Sequence, residues 1–436
     1  MSEMPRSEIN IGSYDHNTAT DAVKLIAFYL PQYHPIPEND EWWGKGFTEW
    51  TNVTKAQPQF DGHYQPRLPA DLGFYDLRLR QIRHQQIALA KKYGIYGFCY
   101  HYYWFSGTKL LEHPIEDMLS DSGSDMPFCI CWANENWTRR WDAREHEILL
   151  GQKYLPGDDE EFIKGLIPFF QDARYIRLCG APLLIVYRPQ QLPDSQKTTK
   201  SWRKYCEGVG IPKIHLCAAL THGNEEYIKY GFDSGVQFPP NNLKLPSLNT
   251  QLDFENRFRG RIFNYFEIAE SYLAQQYKDN LVFRTVFPSW DNTARRKDSS
   301  TVVLNSTPEN YEYWLSATIK KTCENLRGSD RLVFINAWNE WAEGCYLEPD
   351  MKFQKSFLDS TLRAIMGTST LSGFQHKELS LLHSKNGKRT LFGDIRFAFR
   401  FHFDLALERA WLCLNKNPRA RDLMAPLIRL CRKVFH

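Results

Sequence analysis

Residues 331–344 read RLVFINAWNEWAEG. Four apolar residues, Leu332, Val333, Phe334 and Ile335, run straight into Asn336, Trp338, Asn339, Glu340, Trp341 and Glu343. The apolar half lacks the in–out alternation of a strand with one wet face, and suits a strand covered on both sides in a parallel sheet. The polar half sets two carboxylates three residues apart among large apolar rings, where desolvation and mutual repulsion make them costly. Parallel α/β folds put their chemistry at the carboxyl ends of such strands.

The same kind of run recurs along the chain: KLIAFYLP (24–31), GIYGFCYHYYWF (94–105), MPFCICWANENW (126–137), APLLIVYRP (181–189), IHLCAAL (214–220), FDSGVQFPP (232–240), LVFRTVFPSW (281–290) and RLVFINAWNE (331–340). Helical spacing fills the gaps at 76–93, 159–178, 195–208, 263–279 and 307–327, and a last helix over 352–366 follows the eighth strand. Between 220 and 232 there is room only for a short helix. Eight strands alternating with helices predict an α/β fold, a (β/α)8 TIM-type barrel over residues 22–368 with long strand-to-helix loops. The alternative is a doubly wound open sheet, but no glycine-rich fingerprint follows the first strand.

Polar and aromatic residues gather where these runs end: His34, then His101 and Trp104, then Trp132, Asn134, Glu135 and Trp137, then Trp290 and Asp291. In a barrel all of these lie on the carboxyl-terminal face, where active sites form. Trp50, with Trp42 and Trp43, sits in the long loop after the first strand and either packs that loop or forms a stacking platform. Each of His34, His101, Trp104, Trp132, Trp137, Trp290 and Asp291 has a packing reading beside the binding one. Aromatics make up 14% of the chain, and flat rings with polar edges are what sugars stack against.

Glu340 and Glu343 would point to opposite faces of a strand and to one face of a helical turn. They cooperate only if the chain turns near Trp338, a turn that Gly344 suits. Carboxyl groups about 5–5.5 Å apart fit retaining glycoside chemistry, and about 6.5–9.5 Å inverting chemistry. The plainer reading is an exposed turn making surface salt bridges.

A net charge of +3 over 436 residues gives no reason to expect a nucleic-acid partner. The opening segment, residues 1–21, is polar with no apolar leader, and no run approaches a membrane span of roughly 18 apolar residues. With ten scattered cysteines, these features predict a cytoplasmic protein with reduced thiols. Metal-ligand spacings are absent, so neither a metal nor a cofactor is expected. Residues 369–436 differ in character: from 385 onward twelve lysines and arginines face four acids, interleaved with Phe397, Phe399, Phe401, Phe403 and Trp411. This C-terminal extension reads as basic amphipathic helices, either a peripheral membrane contact at the inner membrane or a small docked subdomain.

The stretches AFYLPQYHPIPENDEWWGKGFTEW, FCYHYYWF, CWANENWTRRW and NAWNEWAEGCYLEPD resemble the WbsX family of bacterial surface-polysaccharide loci, which belongs with proteins carrying a domain like glycoside hydrolase family 99. The resemblance covers about residues 22–366. It implies a TIM-type barrel acting on an oligosaccharide or polysaccharide, in O-antigen or capsule metabolism. Family 99 enzymes are retaining endo-α-1,2-mannosidases with the catalytic pair in an N-E-W-x-E-G motif. Through that motif Glu340 matches the base that deprotonates the sugar 2-hydroxyl, and Glu343 the acid/base at the leaving oxygen. A 1,2-anhydro sugar intermediate follows. Under a second mechanism Glu135 is the acid/base and Glu340 the nucleophile. Otherwise Glu135 binds a sugar hydroxyl or pairs with Arg139 or Arg140. His34, Trp50, His101, Trp104, Trp132, Asn134, Trp137, Trp290, Asp291, Asn336, Asn339 and Trp341 are the further substrate-binding candidates. A nucleotide-sugar-dependent glycosyltransferase and a non-catalytic glycan-binding barrel are the rival functions.

Overall fold

The computed structural model describes residues 22–139, 144–250, 258–277 and 281–374. Every one of the eight apolar runs forms a strand: β1 (Lys24–Tyr29), β2 (Ile95–Phe105), β3 (Phe128–Trp132), β4 (Ala181–Val186), β5 (His215–Leu220), β6 (Ser234–Gln237), β7 (Val282–Val286) and β8 (Leu332–Ile335). Each pairs in parallel with the next in chain order, and β1 pairs with both β2 and β8. The register Lys24↔Leu332 through Ala27↔Ile335 closes the ring. An open doubly wound sheet is thereby excluded.

Both faces of the sheet are apolar because both are covered. β3, β4 and β8 are buried at every position. Inside, Phe28 of β1 meets Phe238, just past β6, at 4.6 Å between ring centroids, a contact between non-adjacent strands that must cross the lumen. Phe334 of β8 joins them at 5.4 Å from Phe28. The barrel is filled rather than hollow, as side-chain layers of large residues make it. Outside, Trp132 stacks on Phe162 at 4.1 Å and meets Trp202 at 6.1 Å, so the end of β3 is covered by two helices.

The helices are α1 (Pro37–Trp43), α2 (Glu49–Lys55), α3 (Arg80–Lys92), α4 (His113–Ser120), α5 (Asp158–Gln171), α6 (Ser195–Gly208), α7 (Tyr265–Ala274), α8 (Thr293–Arg296), α9 (Pro308–Asn325) and α10 (Ser356–Ile365). Several start later or stop earlier than apolar spacing alone predicts, and polar side chains explain why. Asp76 accepts from Arg78 N at 2.9 Å, turning the chain before α3 can begin. Asp172 does the same for Arg174 after α5, and Asp350 accepts from Lys352 N at 3.0 Å ahead of α10. Where the side chain sits one residue before the helix it caps it instead: Asp194 accepts from Lys197 N, and Thr307 from Asn310 N. Between β5 and β6 there is only a 3-10 turn, Ile228–Tyr230.

The expected helix over 263–279 is preceded by a strand, Arg261–Asn264, which pairs in parallel with Thr301–Leu304 outside the barrel. Phe374, at the start of the extension, packs on Tyr313 at 4.6 Å. The rest of the basic amphipathic reading, like residues 1–21, lies outside the described residues. Among the described residues no helix is long and apolar enough to cross a membrane, and the eight cysteines are free thiols.

One glycine is fixed by how closely strands approach. A Cβ on Gly97 of β2 would lie 2.7 Å from Pro127 O and 2.9 Å from Ile176 Cδ1, and the backbone oxygen cannot step aside. Gly97→Ala should therefore lose about 1–3 kcal/mol of stability, measured by urea unfolding followed by circular dichroism. An unchanged midpoint would mean that the β2–β3 seam gives more freely than this contact allows.

Candidate active site

Past Ile335 the eighth strand keeps hydrogen-bonding to both neighbours: Asn336 N donates to Val286 O at 2.8 Å and Trp338 N to Phe28 O at 2.7 Å. The chain then forms a tight hairpin, Asn339–Glu340 pairing antiparallel with Cys345–Tyr346 around a 3-10 turn, Trp341–Glu343. This is the turn that cooperation between the two glutamates requires. Gly344 closes it in the left-handed region, at φ +58°, and a Cβ there would sit 3.0 Å from the Arg67 guanidinium and from Asp291 Cβ.

The hairpin is pinned at its base. Asn339 accepts from Leu30 N at 2.7 Å and donates to Leu30 O at 3.0 Å, stapling it to the end of β1. Trp341 stacks on Tyr346 at 3.8 Å, donates its backbone N–H to Tyr33 Oη at 3.0 Å, and donates its indole N–H to Glu348 at 2.7 Å. Glu348 also accepts from Tyr75 and Gln86, yet burial dominates and its pKa is pushed up to about 7.

Both glutamates of the pair meet Arg295, from the short α8 that follows β7. Its Nη2 donates to Glu340 Oε1 at 2.8 Å, and its Nη1 lies 2.8 Å from Glu343 Oε1. A third carboxylate, Glu49 on α2, takes Nη2 at 3.0 Å and Nε at 3.2 Å. Side-chain exposure rises from 0% at Glu49 through 11% at Glu340 to 25% at Glu343, with Arg295 at 13%. Three carboxylates thus share one guanidinium, and only the outermost is substantially open to a ligand. Burial pushes Glu340 well above the usual carboxylate range; Arg295 pulls it down, and Glu343 and Glu49 push it further up. For Arg295, burial works against the charge, but Glu340, Glu49 and Glu343 outweigh it and raise the pKa. Burial, then the charges of Glu340 and Glu49, also lift the Tyr33 hydroxyl.

Sequence reasoning missed Arg295 and Glu49. Arg295 sits five residues past Trp290, within reach of the strand-end rule, but in DNTARRKD it reads as a solvated basic loop. Glu49 lies in GFTEW beside Trp50 with no partner nearby in sequence.

The remaining candidates occupy distinct positions. Glu135 and His101 are half-buried at the mouth. Glu135 forms an ion pair with Arg188, with His222 Nε2 at 3.7 Å; the side chains of Arg139 and Arg140, its expected partners, lie outside the described residues. His101 stacks on Phe28 at 5.8 Å. Trp137 is buried in a small cluster with Tyr103 at 5.0 Å and Trp42 at 6.2 Å. Trp104 and Trp132 face α5 and α6 in the main core. Trp50 packs on Tyr33 and Trp341 and donates to Tyr75 O at 2.8 Å. Asn134 exchanges hydrogen bonds with the Arg188 backbone, and Asn336 donates to Pro239 O at 2.8 Å. His34 is fully buried, and burial lowers its pKa to about 4, so it is neutral. Trp290 is buried in the core. Asp291 is fully buried, its carboxylate taken up by His63 and Gln65, each at 2.7 Å, with Arg67 at 3.6 Å, while its backbone N–H reaches Glu343 O at 2.7 Å. Among the described residues, no group of three or more His, Cys, Asp or Glu is arranged to hold a metal ion.

The family model for glycosyltransferase WbsX matches residues 25–361. Two curated relatives, the uncharacterized WxcX proteins of Xanthomonas campestris pv. campestris strains B100 and ATCC 33913, are 45% identical over 342 residues. That alignment takes in 78% of this chain and 49% of theirs, so the chain spans about half the length of the curated relatives it matches. Among solved structures, a glycoside hydrolase-like protein shares the fold with a TM-score of 0.50 at 13% identity, over 81% of this chain and 96% of that one. The family 99 endo-α-mannosidase of Bacteroides thetaiotaomicron, in complex with bis-tris-propane, aligns with a TM-score of 0.47 at 14% identity over 79% of this chain and 96% of its own.

Asp291 separates framework from cleft by its pH dependence. Burial would raise its pKa, but the His63 hydrogen bond and the Arg67 charge win and bring it from 3.8 to about 2. A depressed carboxylate contributes stability above its unfolded pKa and loses it as pH falls through the folded one. Asp291→Asn should therefore cost about 2 kcal/mol at pH 7 and flatten the fall in stability between pH 3.8 and about 2. Thermal unfolding across that range checks it.

Proposed function

The chain belongs to the WbsX glycosyltransferase family, and from that premise we propose that it cleaves or transfers a glycosidic bond of a surface polysaccharide, with retention, using Glu340 and Glu343. The observation that carries the reading is the hairpin that brings both glutamates of the N-E-W-x-E-G motif onto one guanidinium at the carboxyl-terminal mouth of the barrel. Oxygens bound to two nitrogens of the same guanidinium are held to a separation below the upper end of the roughly 5–9.5 Å spanned by paired-carboxylate glycosidases.

In the proposed sequence, ionised Glu340 takes the proton of the sugar 2-hydroxyl, and that oxygen attacks the anomeric carbon. The bond to the leaving oxygen breaks as Glu343 delivers its proton there. Water or a second sugar hydroxyl, deprotonated by Glu343, then opens the 1,2-anhydro ring at the anomeric carbon, and Glu340 returns its proton to the 2-oxygen. Burial raises Glu340's proton affinity, which suits a base, and Arg295 beside it offsets part of that rise. Glu343, the more open of the two, suits the group that meets leaving oxygen and acceptor. The geometry requires a 2-oxygen trans to the leaving group, as in α-mannosides and α-rhamnosides. The basic extension at 369–436 would keep the enzyme at an anionic membrane surface on the cytoplasmic side.

The double-displacement route needs Glu135 as a proton donor. Its carboxylate is instead engaged by Arg188, an arrangement that suits holding a sugar hydroxyl.

The test uses oligosaccharides from the organism's own surface polysaccharide and a 2-deoxy-2-fluoro glycoside with a good leaving group. Glu340→Gln and Glu343→Gln should each lower kcat at least about 100-fold, Glu135→Gln should lower it less, and no covalent adduct should form. A sugar ester on Glu340, seen by intact-protein mass spectrometry, would sink the anhydro route. Full activity in both Gln variants would remove the pair from the chemistry altogether.

A further inference from the structure

We propose that Glu49 is a positioning residue of this site, gripping Arg295 so that the rest of its guanidinium is presented to Glu340 and Glu343. The assignment rests on the reading of those two glutamates as the working pair. Arginine carries five N–H donors in a rigid plane. Glu49 Oε2 takes the Nε side of that plane, at 3.2 Å from Nε and 3.0 Å from Nη2. What remains of Nη2 meets Glu340, and Nη1 meets Glu343. A side-on grip at one edge fixes the plane, and the plane fixes where the other two carboxylates find their counter-charge.

Glu49 cannot touch a ligand itself, since its side chain has no exposure. It comes from α2 in the loop after β1, whereas Arg295 follows β7 and the pair follows β8, so three separate segments meet at one cation. An isolated buried ion pair would be satisfied by one carboxylate. Here the cation is shared between a carboxylate sealed in the protein and two at the cleft. Among the described residues, other titratable groups that feel the cluster are Tyr33 in the loop after β1, Tyr103 on β2 and Cys345 on the returning strand of the hairpin. Glu49's own charge, acting on Glu340 across the shared guanidinium, favours the protonated form of Glu340.

The measurement is the pH at which the Glu340 carboxyl ionises, followed by its infrared carbonyl band and assigned by the loss of that band in Glu340→Gln. Glu49→Gln keeps the shape and removes the charge, so the ionisation of Glu340 should move to lower pH by roughly half a unit or more. Glu49→Ala loses the grip along with the charge, so Glu340 should ionise at higher pH there than in Glu49→Gln; equal values in the two variants would make Glu49 a neighbouring charge and overturn its positioning role. No shift, or a shift upward, in folded Glu49→Gln overturns the proposal. Arg295→Lys gives an independent reading should Glu49→Gln not fold. It conserves charge but lacks the fork, so Glu340 should ionise at higher pH, and an unchanged value there overturns the proposal too. The band is read without turnover, so full activity in Glu340→Gln and Glu343→Gln would remove the proposed reaction without deciding this result.

Discussion

Trp338 N donates to Phe28 O at 2.7 Å, one rung beyond the seam that closes the barrel. The site depends on that closure. Glu49 follows β1, Arg295 follows β7 and the glutamate pair follows β8; these three strands are neighbours only because the ring is shut, with β8 between the other two. In an open sheet β1 would stand apart from β8, and the guanidinium would lose its third carboxylate. The Asn339 staple to Leu30 carries the same seam one residue further and hands its rigidity to the hairpin.

The hairpin is held from two sides by polar networks, and each answers a different electrostatic problem. On one side His63, Gln65 and Arg67 gather on the buried Asp291 carboxylate against Gly344, which keeps Asp291 ionised. On the other, Glu348 accepts three hydrogen bonds, from Trp341, Tyr75 and Gln86, with no cation among them, so burial prevails and it titrates near neutrality. Between the two, Arg295 serves three carboxylates at once. Buried polar groups of this kind tolerate little rearrangement, because each freed atom pays for desolvation alone.

The barrel was legible because a strand covered on both faces reads as an uninterrupted apolar run, and eight such runs in order have few arrangements. The glutamate pair was legible because LVFI leads straight into it. What stayed hidden follows from the same physics. When both faces of a strand are apolar, sequence does not say which side chain enters the lumen and which meets a helix; hence Trp132 stacks on Phe162 while His101, one strand back, stacks on Phe28. Asp291 carried no mark of its partners, since His63 and Gln65 lie more than two hundred residues away in the chain. Arg295 and Glu49 are likewise 246 residues apart, and only ring closure gives either a meaning. Helix starts were misplaced where an aspartate turned the chain first, as Asp76 does.

The loop from Tyr29 to Arg80 holds α1 and α2 and borders the mouth of the barrel. Lengthening a surface loop costs little entropy, so this segment is free to vary in length on either side of α2. α2 itself is not free: Trp50 packs on Tyr33 and Trp341, and Glu49, one residue earlier, holds Arg295. Any remodelling of the loop that tilted α2 would move the guanidinium on which Glu340 and Glu343 converge.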